Sequence, residues 1–322
     1  MTIIIKQGEK MNPIYIVLII VLSLALLFFA VCYVCFRLTF YMPKKQKIHK
    51  EDDMPPGKIY EPYYEQMRKW NKEAKTFKKE DVCVTACDGL TLQATYYELF
   101  ENAPIEIMFH GYRGSAERDL CGGLQRCLKL KRNVLAVDQR GHGRSDGNVI
   151  SFGVKERFDV KTWAEYAYER FGDNVKLIIT GISMGASTVL MASSLSLPKT
   201  VVGIVADCGF NNTKEIIKSV ITKMHLPANV FYPFVKLGAI IFGGFNPEQT
   251  SAEQEVKNSK LPILFIHGDS DHFVPCYMSQ KNYLACTSVK GLEIFEGAGH
   301  GMSYLVDSDR YVKILKDFEK HY

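Results

Sequence analysis

Three short stretches carry residue types that together could perform acyl transfer. Gly181-Ile182-Ser183-Met184-Gly185 joins an apolar run, Val175–Thr180, to a helix-forming stretch, Met184–Leu195. A serine at such a strand-to-helix turn occupies a strained position, and small neighbours let the flanking backbones pack. The first N–H groups of the helix then face negative charge developing on a reacting carbonyl oxygen. A serine hydroxyl is a poor nucleophile until a base takes its proton and a third group orients that base. Asp271, in GDSDHFVP, and His300, in GAGHG, follow in the order this turn requires. Each sits where a late apolar run ends, Ile263–Ile266 and Leu292–Phe295. Alone, either would read as a turn aspartate or a surface histidine. Three residues in order on three strand ends favour a triad.

The elements that must position them alternate along the chain. Val82–Ala86 and Leu90–Leu99 flank Asp88-Gly89, a hairpin signal, and further apolar runs lie at Ile105–Phe109, Val134–Val137 and Val201–Ala206. Helical stretches fall between most of them, near Arg118–Lys131, Val154–Phe171, Met278–Cys286 and Asp309–Lys320. Eight strands, mostly in β-α-β order, predict one mostly parallel sheet with helices on both faces. The alternation breaks once, over residues 208–260. Phe231, Phe234, Leu237, Ile240, Ile241 and Phe245 there predict a helical cap inserted between the serine and the acid.

With these motifs in view the chain resembles the α/β-hydrolase superfamily, in its serine aminopeptidase-like and monoacylglycerol-lipase-like branch. The resemblance covers about residues 82–322 and rests on Asp88-Gly89-Leu90, His110-Gly111-Tyr112-Arg113-Gly114, DQRGHGRS (138–145), the serine turn, GDSDHFVP and GAGHG. It implies the α/β-hydrolase fold and Ser183, His300 and Asp271 as nucleophile, base and acid. It also implies Tyr112 and Met184 as backbone donors to the oxyanion. His110 and His142 read as loop-fixing residues, His267 as structural, and Asp207, at the end of the strand after the serine helix, as the rival acid. Neither metal-ligand spacing nor a phosphate-binding Gly-rich loop appears, so no cofactor or metal is implied.

The N-terminus carries a different message. No charge interrupts the chain between Lys10 and Arg37, and Ile14–Phe36 as a helix would span roughly 35 Å, enough for a bilayer core. The run is too long for a signal-peptide core and shows no small-x-small site before Arg37. Residues 1–41 therefore read as a retained single-pass anchor, with Tyr33, Phe36, Phe40 and Tyr41 as an interfacial belt. Residues 42–80 read as a tether plus an amphipathic helix over Glu61–Lys75, and 81–322 as the catalytic domain with its cap at about 208–260. More basic residues follow the span than precede it (Lys6 and Lys10), which favours a cytoplasmic-facing domain, as does an unpatterned set of cysteines.

Composition agrees with this picture: 322 residues, 47% hydrophobic, and 40 basic against 35 acidic residues, a net +5. Disorder and coiled coil are excluded, and a nucleic-acid-binding face gains no support. The expected function is a membrane-tethered serine hydrolase acting on carboxylic esters, including lipid or thioester-linked acyl groups, with the cap residues Phe231, Phe234, Leu237, Ile241 and Phe245 forming an acyl pocket. A peptidase would instead use a cap carboxylate, Glu248, Glu253 or Glu255, to hold a free amino terminus. A catalytically inactive binding protein on the same fold is opposed by retention of all three triad residues. Because residues 1–41 hold no catalytic motif, a chain lacking them is expected to keep activity on water-soluble esters.

Overall fold

The computed structural model describes residues 12–44 and 53–322. Lys6, Lys10 and most of the basic tether lie outside the described residues. Eight strands form one sheet: β1 Lys79–Thr85, β2 Thr91–Tyr97, β3 Ile105–Phe109, β4 Asn133–Asp138, β5 Leu177–Ile182, β6 Val201–Asp207, β7 Ile263–Gly268 and β8 Lys290–Phe295. Their order is β1-β2-β4-β3-β5-β6-β7-β8. The first two strands pair antiparallel, β2 joins β4 antiparallel, and every later pairing is parallel. Strands β3, β4 and β7 are buried along their whole length, as continuous apolar runs between two helical layers require.

The main helices, in chain order, are α1 Pro13–Thr39, α2 Tyr64–Ala74, α3 Cys121–Leu130, α4 Glu156–Phe171, α5 Met184–Ala192, α6 Thr213–Lys223, α7 Ala228–Gly243, α8 Tyr277–Ala285 and α9 Ser308–Phe318. Short helical turns join several of them. All nine cysteines are free thiols.

The structure departs from the expected boundaries at the N-terminus. Helix α1 runs on to Thr39, and its last turns belong to the core. Phe40 is fully buried and packs edge-on against Phe152 and Phe245, with ring centroids 5.6 and 5.2 Å apart. The Met42 N–H donates to Asn148 O at 2.8 Å, and the Ile150 N–H donates to Phe40 O at 2.7 Å. Phe36 and Phe40, which sequence alone assigns to a membrane interface, are therefore packing residues, because the backbone at Phe40 and Met42 bonds to residues 148–150 of the domain. Helix α2, within the expected Glu61–Lys75, buries Met67 and Ala74 and stacks Trp70 near Tyr304 at 5.9 Å.

The insertion at 208–260 is helical, as expected, but it does not cover the serine. Helix α7 lies along α1, with Phe234 against Phe28 and Phe242 between Tyr33 and Phe36. Phe245 packs on Phe40, Phe231 against the main core, and Ile241 is exposed. The physical reason is a better partner: the apolar face of α7 meets an apolar helix that the chain brings back beside it.

Candidate active site

Ser183 sits between β5 and α5 with φ 56° and ψ −118°, the left-handed region that L-residues avoid. Tight packing holds it there. The Ser183 N–H donates to Asp207 O at 2.8 Å. A Cβ at Gly181 would lie 2.3 Å from the Gly185 carbonyl carbon, and one at Gly185 only 2.1 Å from Phe109 O. No side chain fits at either position, which is why the serine is flanked by glycines two residues away on each side.

His300, in the loop after β8, reaches both other candidates. Its Nε2 lies 2.8 Å from Ser183 Oγ and its Nδ1 2.7 Å from Asp271 Oδ2. An ionised Asp271 accepts the Nδ1 proton, which leaves Nε2 with a lone pair for the serine hydroxyl. Asp271 is fixed in turn: its Oδ1 accepts the N–H groups of Phe273 and Val274 at 2.8 Å each. Burial alone would raise the Asp271 pKa, but hydrogen bonds from His267 and His300 hold it well below the usual carboxylate range. His267, read from sequence as merely structural, stands 3.2 Å from Asp271 Oδ2 and braces it against Val274 O and Ser279.

Asp207 is engaged elsewhere. It accepts the Tyr311 hydroxyl at 3.0 Å and lies 3.4 Å from Ser303 Oγ, and burial raises its pKa. Geometry therefore favours Asp271 over Asp207 as partner of His300. Cys208 Sγ lies within 4.8 Å of ligand atoms on Asp271 and His300, but burial pushes its thiol well up, and both His300 ring nitrogens are already paired.

The loop after β3 runs beside the serine, with a Cβ built on Gly111 falling 3.5 Å from Ser183 Cβ. Two neutral histidines shape it. The Gln139 N–H donates to His110 Nε2 at 3.1 Å, so His110 Nδ1 carries the proton given to Gly111 O; burial lowers its pKa accordingly. The Arg113 N–H donates to His142 Nε2 at 3.1 Å, and His142 Nδ1 gives its proton to Arg140 O. Tyr112 thus follows a rigid loop, and Met184 is the first residue of α5. Their N–H groups belong to the two segments that border Ser183.

A cavity of about 590 Å³ opens from Ser183 and His300. Its walls include Met67, Trp70, Met108, Leu120, Leu305 and the segment Pro55–Tyr60. Phe231, Phe234, Leu237, Ile241 and Phe245 are not among its described lining residues. The cover expected from the insertion comes instead from Pro55–Tyr60, ahead of α2. The Tyr60 hydroxyl even donates to His300 O at 2.6 Å. The missed signal was the apolar pair Ile59-Tyr60 at the junction of the expected tether and amphipathic helix.

The family described as serine aminopeptidase, S33, matches residues 105–239. Esterase Pf2001 of Pyrococcus furiosus superposes with a TM-score of 0.62 at 23% identity, over 78% of this chain and 95% of that one. The chain has the α/β-hydrolase fold. Among similar proteins, the chain is 28% identical over 192 residues to YqkD of Bacillus subtilis, covering 59% of this chain and 63% of that one. It is 26% identical over 246 residues to the lysophosphatidylserine lipase ABHD12 of Rattus norvegicus, covering 69% and 58%. The chain thus spans less than two thirds of the length of both relatives.

Proposed function

We propose that this hydrolase is a serine esterase, held at a membrane by α1, that cleaves carboxylic esters with an apolar acyl chain. The observation that carries the reading is the single histidine bridging Asp271 and Ser183. In this mechanism Ser183 Oγ attacks the ester carbonyl while His300 Nε2 takes its proton. The oxyanion is held by the N–H groups of Tyr112 and Met184. His300 then protonates the leaving alcohol, and water hydrolyses the acyl-enzyme by the same route. Asp271 stays ionised throughout and stabilises the imidazolium. The acyl chain lies in the cavity between Trp70, Met108, Leu120 and Leu305.

The similarity to esterase Pf2001 and to a lysophosphatidylserine lipase supports an ester substrate. A peptidase reading would need a free carboxylate near the site. Glu248 instead pairs with Lys236 and Tyr232, Glu253 with Asn211, and Glu255 with Arg157. A fluorogenic panel tests the choice: specificity constants should rise from acetyl to medium-chain esters, with each buried methylene contributing up to about 0.8 kcal/mol. A preference for aminoacyl amides would replace this reading with the peptidase.

A further inference from the structure

Helix α7 buries Tyr232, Val235 and Ala239 in the domain core and carries two further apolar faces, of which the fold uses one. The first face lies on the C-terminal part of α1, so closely that a Cβ on Gly238 would stand 2.4 Å from the Cys32 carbonyl oxygen. The other face leaves Val230, Ile240 and Ile241 at 57%, 42% and 43% exposure, continued by Met224 and Leu226 in the preceding turn. The length of α1 says what covers this second face. Phe28 is the first α1 ring to stack on α7, on Phe234, so only Pro13–Leu27 stands clear of it. Those residues reach about 22 Å, whereas a hydrocarbon core is about 30 Å thick and takes about 20 helical residues. An α1 that spans must continue in lipid past Cys32, to the level where Phe234 and Gly238 pack against it. Arg37, whose guanidinium sits 3.9 Å over the Tyr41 ring, is the first charge within α1 and marks the exit.

We propose that α7 is embedded in the bilayer beside α1, its exposed face covered by lipid acyl chains, so that the hydrolase rests on the membrane through a helix pair. This rests on the reading of α1 as a membrane span. It accounts for an apolar 16-residue helix whose one charged side chain, Lys236, is paired with Glu248. It also sets the site at the membrane surface. The Tyr112 hydroxyl donates to Thr39 O at 2.8 Å and Arg113 Nη2 to Leu38 O at 2.9 Å, just beyond the lipid exit of α1. Exposed Ile59 and Phe273 line the cavity on the same molecule and offer a lipid ester an apolar entry.

The test is depth-dependent quenching in the full chain, reconstituted in phosphatidylcholine vesicles brominated midway along the acyl chain. Tryptophan emission is read against the unsubstituted protein, which carries Trp70 and Trp163. Leu22→Trp reports the span, Ile241→Trp the second face of α7, and Lys176→Trp, before β5 at the opposite end of the sheet, is the control. Quenching at positions 22 and 241 but not 176 is expected; Val230→Trp replaces Ile241→Trp if that variant misfolds. Quenching at 22 without 241 or 230 would overturn the embedding and leave the anchor standing. No quenching at 22 would overturn the anchor and the embedding together.

Discussion

Asp271 is the least obvious member of the proposed triad, and its environment makes a sharp claim. Two backbone N–H groups, His267 and His300 converge on Asp271, while Asp207 is buried under Tyr311. Asp271→Asn should therefore lower kcat by about four orders of magnitude, because the neutral amide no longer holds His300 in the tautomer that accepts the serine proton. Asp207→Asn should stay within an order of magnitude, since it faces the tyrosine and not the base. Steady-state rates on a short ester check both, with circular dichroism to confirm the fold. An inactive Asp207→Asn beside an active Asp271→Asn would reassign the acid. Asp271 and His300 stood out in the sequence as candidates because each follows an apolar run and sits in its own glycine-bearing loop. The bracing role of His267 did not: it depends on a turn that returns residue 271 to the strand end.

Elements proved harder to read than motifs. An apolar insertion between serine and acid looks like a lid, and nothing in its periodicity tells which apolar partner its face will find. Here the partner is α1, and the cavity is walled by Pro55–Tyr60, α2 and the loops around them. Trp70→Ser and Leu305→Ser should flatten the rise in specificity constant with acyl length, while Phe234→Ser and Ile241→Ser should leave it unchanged. The reverse pattern would return the acyl pocket to the insertion. The boundary of the anchor shifts for the same reason. Removing residues 1–27 should preserve activity on water-soluble esters. Removing 1–41 deletes the buried Phe36 and Phe40 and the carbonyls that hold Tyr112 and Arg113. A large buried aromatic is worth about 3–5 kcal/mol, so the longer deletion should fall sharply in melting temperature and lose activity. Equal melting and turnover for the two deletions would contradict this packing.

Stability across the whole chain has an ionic contribution that the sequence did not reveal, because its members are far apart in number. Glu106 on β3 is fully buried between Arg126 and Arg132, and Arg132 also reaches Glu319 near the C-terminus. Burial alone would raise the Glu106 pKa, but the two guanidinium groups bring it down to about 2 from an ordinary 4.5. A carboxylate with a depressed folded-state pKa stabilises above its unfolded value, so this contribution is complete above about pH 4.5 and drains away as the pH falls toward 2. It amounts to something on the order of 3 kcal/mol. Glu106→Gln, which takes the carboxylate from buried Arg126 and leaves Arg132 only Glu319, should cost about 3–5 kcal/mol at neutral pH and weaken the acid dependence of denaturant midpoints over that window. A wild-type acid dependence in the variant would assign it to other carboxylates. The parallel sheet that carries this ion cluster also brings Ser183, Asp271 and His300 from three strand ends to one point. The decisive measurement is labelling by a fluorophosphonate probe that reacts only with an activated serine. Strong labelling of the intact protein is expected, with none of Ser183→Ala and little of a folded His300→Ala. Labelling that survives in Ser183→Ala, or an intact protein the probe does not touch, would contradict the proposed triad.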